Sequence, residues 1–398
     1  VDWLSPIASL LKATSALLYV TYFFYTSSLG VVFVFLEDVQ RRNDLSDWEL
    51  GMVAAAGFAV ALVVQLLLSP FADRGRSLFL ALTALTCGVL GPIGFAYGSS
   101  ALVVALSRGL SGVGLGLFAI LARKALIGLD AAGGGAKLGM LLSSAVAGFI
   151  IGPVIGALFE PLGFEAPFVL VSAAILVFGS LSIRVIMRTE IAASPVGHGV
   201  LGDLVRRPRI QAALLVQVIV MGYIGVFDAI VDRYLTELGA GTGQVALVIV
   251  AVGFPLLILP RIAGNRAEAL GGARVMLPAL ILLIPVMLGY SAATSVVMFT
   301  LFGFLHGSAE SFATVSSQVL VLEVTKAERA AVGTSLVDAA GLTSAAVTAG
   351  LAPPVYGAIG RGLFVGSAAI AFGLALLAWQ RARAGAELDY LAVVAQTR

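Results

Sequence analysis

The sequence predicts an all-α integral membrane protein whose twelve transmembrane helices form two pseudo-symmetric six-helix bundles. Three observations carry this expectation. The 398 residues are 60% hydrophobic and 12% charged, with mean hydropathy +1.04. A soluble domain carries roughly a quarter charged residues, so this chain has too little polar surface to cover a globule in water and the bilayer is its expected solvent. Apolar runs of about twenty residues recur along the chain, split by short polar loops. Lys and Arg fall almost entirely in alternate loops, as orientation in a membrane requires.

In chain order the runs cover 13–36, 48–70, 77–97, 101–122, 138–159 and 164–187, then 210–231, 243–262, 274–292, 295–323, 330–352 and 360–381. At about 1.5 Å per residue, each crosses a hydrocarbon core of about 30 Å. The longest polar gap contains Pro195, His198 and the basic cluster Arg206, Arg207 and Arg209. The expected plan is a bundle over 1–187, a linker over 188–209 and a second bundle over 210–398. With both termini in the cytoplasm, only Arg41, Arg42, Arg233 and Arg361 fall on the outside and Arg108 lies within a helix; every other Lys and Arg is inside. Weak internal matches support two duplicated halves. Ala72-Asp73-Arg74 pairs with Gly264-Asn265-Arg266, Glu37-Asp38 with Asp232, and Gly109 and Gly139 with Gly303 and Gly333, all at a spacing of about 190 residues.

The single cysteine, Cys87, sits in an apolar stretch and excludes an intrachain disulfide. The 46 glycines suit membrane helices whose backbones approach closely. No cleavage site and soluble domain follow the first apolar run, so no cleavable leader is expected. Residue usage rich in Ala, Gly, Val and Arg suggests a bacterial protein of the inner membrane.

Three motifs carry a family resemblance. Ser69-Pro70-Phe71-Ala72-Asp73-Arg74-Gly75-Arg76 joins the second and third spans. It resembles the major facilitator signature G-x-x-x-D-R-x-G-R, with Ser69 for the first glycine and a loop one residue shorter. The resemblance implies that Asp73 caps a neighbouring helix while Arg74 and Arg76 bridge the two halves and hold one access state. Arg108-Gly109-Leu110-Ser111-Gly112-Val113-Gly114 resembles the second signature, R-x-x-x-G-x-G. Independently of that, a charge at bilayer depth is costly and normally faces a cavity or an acid. Gly139, Gly148, Gly152, Pro153 and Gly156 span the fifth apolar run, with Ala157 where a last glycine is usual. They are similar to the signature of the drug:proton antiporters. The proline removes a backbone hydrogen bond and kinks the helix, and the glycines admit a close neighbour. One departure stands out: many of these antiporters carry an essential acid in helix one or four, and here those helices have none, which weakens the case for cationic drugs.

The acids within spans are few. Glu310 lies near the middle of the tenth, Asp338 about 12 Å into the eleventh, and Asp228 toward the outer end of the seventh. His306 stands four residues before Glu310, so the two share a helix face, which Thr314, Ser317 and Gln318 extend. An unpartnered carboxylate at that depth must be protonated, paired or hydrated, and switching among these states suits proton coupling. Glu310 is the first candidate, His306 a relay, Asp338 and Asp228 reserves. Tyr22, Tyr25, Gln217, Tyr223 and Phe227 are candidates for an amphipathic pocket; Tyr at helix ends also serves as an interface anchor.

These features point to proton-coupled export of a small amphipathic or hydrophobic molecule, driven by the proton gradient with no bound cofactor. The partners are the substrate, protons and lipid, and the chain is expected to work as a monomer. The alternative is symport or facilitated uptake of a small anionic solute held by Arg108. An intramembrane protease finds no support: His198 is in the linker, and His306 and Ser308, two apart, point away from each other. Nucleic-acid binding, metal sites and phosphate loops find none either. Cysteines placed in the 188–209 linker should react with impermeant reagents only from the cytoplasm; labelling from the other side would reverse the topology.

Overall fold

Residues 4–72, 77–129, 134–188, 200–325 and 327–396 are described by the structure, a computed structural model. Asp73, Arg74 and Arg76 lie outside the described residues, as does His198. The helices in order are α1 (Leu4–Val32), α2 (Leu36–Arg42), α3 (Asp47–Ala72), α4 (Ser77–Tyr97), α5 (Ala101–Leu129), α6 (Gly134–Phe159), α7 (Ala166–Arg188), α8 (Val200–Arg206), α9 (Pro208–Glu237), α10 (Thr242–Leu270), α11 (Gly272–Ala292), α12 (Val296–Val324), α13 (Ala327–Ile359) and α14 (Gly362–Gln396), with a 3₁₀ turn at Glu160–Leu162. Among the described residues, twelve helices are long and apolar enough to cross a membrane; α2 and α8 are the short ones. Their outward faces stay apolar: Leu66, Phe79, Leu142, Leu247, Ile281 and Ile370 are exposed. In water such patches mark interfaces; on membrane spans they are the surface offered to lipid.

Two compact units form. One comprises Val1–Pro195 with Val231–Val250, the other Val196–Ile230 with Ala251–Arg398. In the first, α1 packs on α6 and α7, α4 on α5 and α7, and α3 on α5. The glycines of α6 explain the α1 seam. A Cβ at Gly148 would strike the Phe23 carbonyl and the Thr26 hydroxyl; one at Gly152 would lie 2.8 Å from the Gly30 Cα, and one at Gly156 2.8 Å from the Val34 methyl. Pro153 of α6 meets Gly30 from the other side. Gly139 belongs to the first turns of the same helix.

In the second unit α11 packs on α12 and α14, and α13 meets α8, α12 and α14. The close approaches recur in both units. A Cβ at Gly112 of α5 would sit 2.7 Å from the Gly57 carbonyl of α3, and one at Gly307 of α12 would overlap the Val252 carbonyl of α10.

Several helix ends differ from the sequence expectation. The first span stops at Val32, where the Phe33 and Phe35 amides bond three residues back, to Gly30 (3.1 Å) and Val32 (3.0 Å). A second helix, α2, follows, with Glu37 and Asp38 in its first turn and Arg41 and Arg42 in its last, the polarity that suits a helix dipole. Next, Ser46 and Glu49 form a capping box on α3: the Ser46 amide donates to the Glu49 carboxylate (2.9 Å) and the Glu49 amide to the Ser46 hydroxyl (3.3 Å). Helix α9 runs on to Glu237 because Asp232, where hydropathy breaks, is itself buried beside Tyr234 and Leu235. Helix α13 continues through Pro353 and Pro354 to Ile359, although proline removes backbone donors and normally ends a helix.

Gly148→Ala should destabilise the protein by about 1–3 kcal/mol through overpacking of the α1–α6 seam, read as a lower melting temperature in detergent. Gly366→Ala is the control, since its Cβ meets nothing within 4 Å. Equal effects at the two sites would contradict the seam.

Candidate functional site

The second unit contains a buried polar group inside an aromatic shell. His306 and Glu310, one turn apart on α12, are both buried, His306 to 2% exposure. Tyr290 of α11, fully buried, places its hydroxyl 3.2 Å from His306 Nδ1. Rings surround the imidazole: Tyr223 and Phe227 of α9 each at 6.1 Å and Tyr290 at 5.9 Å between centroids, all steeply inclined to it. Phe299 and Phe364 pack in turn on Tyr290, at 4.4 and 5.6 Å. His306 Nε2 is buried with no hydrogen-bond partner among the described residues. No hydrogen bond or ion pair to the Glu310 carboxyl occurs among the described residues. The same face continues with buried Ser317 and half-buried Thr314 and Gln318.

Tyr223 joins this group to a cleft of about 120 Å³ between α9, α13 and α14, lined by Val218, Gly222, Tyr223, Ser344, Thr348 and Ser367 among others. Its hydroxyl donates to the Ser367 carbonyl at 3.4 Å. Lower on α9, Gln217 is buried, its Oε1 without a partner among the described residues, and packs against Gly341 of α13. Asp338 is half-buried one turn before that glycine, and Asp228 is fully buried on α9 beside Phe227.

In the first unit Arg108 is 3% exposed, between buried Ser107 and Gly109. Its side chain lies over Gly57 of α3, where a Cβ would come 3.4 Å from its Cγ and 3.5 Å from its Nε. The glycine thus leaves the space the guanidinium stem occupies. Tyr25 is packed rather than open: its ring stacks on Phe118 at 4.8 Å and fills the notch at Gly88. Tyr22 lies beside it, 6.1 Å from Phe118, and is buried too.

The tip formed by the end of α9 and the start of α10, Val231–Val250, belongs to the first unit through a belt of polar contacts around α2. The buried Asp232 carboxylate accepts the Glu37 backbone N–H at 3.0 Å. Arg233 donates to Asp47 at 2.8 Å, and Gln40 to the same carboxylate oxygen at 2.9 Å. Thr242 donates to Glu160 at 3.0 Å. Arg41 pairs with Asp38. Arg42 pairs with Glu165 at 2.8 Å and lies 4.9 Å from the Phe164 ring centre. A cavity of about 470 Å³ opens among Phe35, Asp38, Arg41, Arg42, Glu160 and Phe164.

The structure therefore brings His306, Glu310, Tyr223 and Phe227 together, and keeps Tyr22, Tyr25 and Arg108 in the other unit. It adds Tyr290, near the end of α11, which no sequence motif singles out. It also turns the repeat-related pair Glu37 and Asp232 into a direct contact.

No family model matches the chain, and no curated protein does. Solved structures are similar in fold. A bacterial homolog of the human lysosomal transporter Spinster, inward-facing and unoccupied, aligns with TM-score 0.79 over 95% of this chain and 98% of its own, at 12% identity. The inward-facing, occupied form of such a homolog aligns with TM-score 0.73 over 94% and 97%, also at 12% identity. The chain is an integral membrane protein with the major facilitator fold.

The Arg42–Glu165 pair gives a pH test outside the spans. The bond from Arg42 holds the Glu165 carboxyl below its ordinary range. A depressed folded value means that the stabilisation is present at neutral pH and is lost as pH falls through that value. Arg42→Gln should lower stability at pH 7 by at most about 1 kcal/mol, as for exposed pairs, and the difference between parent and variant melts should vanish toward pH 3. A gap that widens in acid would contradict the pairing.

Proposed function

We propose that the protein is a secondary transporter working by alternating access, coupled to protons through Glu310 and exporting a small amphipathic or hydrophobic molecule. The observation that carries this reading is the buried His306–Glu310–Tyr290 group, enclosed by rings within one unit of an otherwise apolar helical protein. A carboxyl there is buried, and no ion pair to it occurs among the described residues, so its charge state must change with its surroundings. Alternating access supplies such a change, because the group faces water in one state and is enclosed in another. The aromatic shell and the Tyr223 cleft supply apolar surface with a few polar contacts, the usual lining of a small-molecule site.

We extend the proposal to the wider arrangement. Bundles over 1–187 and 210–398, joined by 188–209, would rock about the substrate site, with Asp73, Arg74 and Arg76 bracing the cytoplasmic side. The termini would be cytoplasmic, the membrane the bacterial inner membrane, the working unit a monomer and the driving force the proton gradient. The likeness to transporters supports transport as the class of activity, rather than catalysis. The α6 glycines support export only through the antiporter resemblance, since their packing on α1 serves any transport direction. A second reading, uptake of a small anionic solute, is favoured by one observation: Arg108 places a cation in the interior of the first unit.

In proteoliposomes, Glu310→Gln should abolish uphill transport driven by a pH gradient while downhill exchange survives. If Glu310→Gln transports uphill like the parent and Asp338→Asn does not, coupling belongs to Asp338. If both variants still move substrate uphill, coupling through these acids is wrong and a facilitator is the better reading.

A further inference from the structure

We infer that Tyr290 is a positioning residue whose phenol fixes His306 as the Nε2–H tautomer, leaving a buried N–H donor on the polar face of α12. The inference rests on the proposed role of that face and assigns the state of its imidazole.

The Tyr290 hydroxyl and His306 Nδ1 are 3.2 Å apart, and both residues are closed off from solvent. Either atom can supply the proton of this bond. A neutral imidazole nitrogen is a much stronger base than a phenol oxygen, and a phenol is a much stronger acid than a neutral imidazole N–H. In these dry surroundings the phenol therefore donates to Nδ1. The bond made by one ring nitrogen decides where the proton of the other sits, so the imidazole proton is on Nε2.

The rest of the shell holds this arrangement. Tyr223, Phe227 and Tyr290 stand edge-on to the imidazole. Phe299 and Phe364 hold the phenol in turn. The Tyr223 hydroxyl is engaged by the Ser367 carbonyl rather than by the histidine. Nε2 is then a donor with no partner among the described residues. A buried N–H left in this state is unfavourable until an acceptor arrives. Glu310, one turn along α12, offers a carboxylate on the same face, and an oxygen acceptor on a transported molecule is its competitor.

Histidine-selective ¹⁵N labelling tests this in the full-length protein. The chain has two histidines, so His198→Gln leaves His306 as the sole imidazole. Solid-state NMR in lipid at pH 7.5 should show the neutral ring protonated at Nε2, over the Nδ1–H form by about 10:1 or more, because the tautomer follows the bond at the other nitrogen. Tyr290→Phe keeps the ring packed on Phe299 and Phe364 but removes the hydroxyl, and should bring the two tautomers to within about 3:1. A melt of the Phe variant near that of the parent confirms that the shell is intact. An Nδ1–H ring in the parent, or an unchanged Nε2–H ring in the Phe variant, would overturn the assignment. The readout is a tautomer ratio, so its failure is separate from any loss of coupling in Glu310→Gln.

Discussion

Polar groups inside a bilayer have no water to turn to, and this constraint orders the rest of the molecule. It makes every span a helix, because only a helix satisfies its own backbone. It leaves Leu66, Phe79 and Ile370 facing outward. Helices in lipid gain little from hiding apolar surface from one another, so they associate by close packing. That is the role of the glycines: Gly148 and Gly152 on α1, Gly112 on α3 and Gly307 on α10 let backbone meet backbone. Polar side chains then survive only where another protein group or an enclosed space receives them.

Two polar regions meet that condition in different ways. Around α2, Asp232 accepts the Glu37 backbone N–H, Arg233 donates to Asp47 and Thr242 to Glu160, contacts that tie the α9–α10 tip into the first unit. The His306–Glu310 face has instead an unpartnered imidazole nitrogen and a carboxyl without a hydrogen bond among the described residues. A satisfied network rigidifies, whereas a buried polar group without a partner is costly. The unpartnered groups on α12 are the physical ground for proposing coupling there.

The number and order of spans were legible in the sequence because hydropathy acts over about twenty residues at a time. Seven-residue α2 was not, since it is too short to leave a periodic signal and looks like the polar end of a span. The end of α9 was misplaced for a related reason: Asp232 reads as a loop residue until its acceptor role toward Glu37, 195 residues away, is seen. Within the site, the shared face of His306 and Glu310 follows from their spacing on one helix. Tyr290 does not, because its meeting with His306 depends on how α11 packs against α12. Tyr22 and Tyr25 show the converse: aromatic residues that suit a pocket by composition are enclosed by α4 and α5.

Coupling through Glu310, as proposed, requires that its carboxyl exchange a proton with water during the cycle. Charge displacement after a rapid pH jump, recorded on solid-supported membranes without substrate, reads that exchange directly. A transient current is expected in the parent and its loss in Glu310→Gln, with Asp338→Asn retaining it. A transient of undiminished size in Glu310→Gln would contradict the claim.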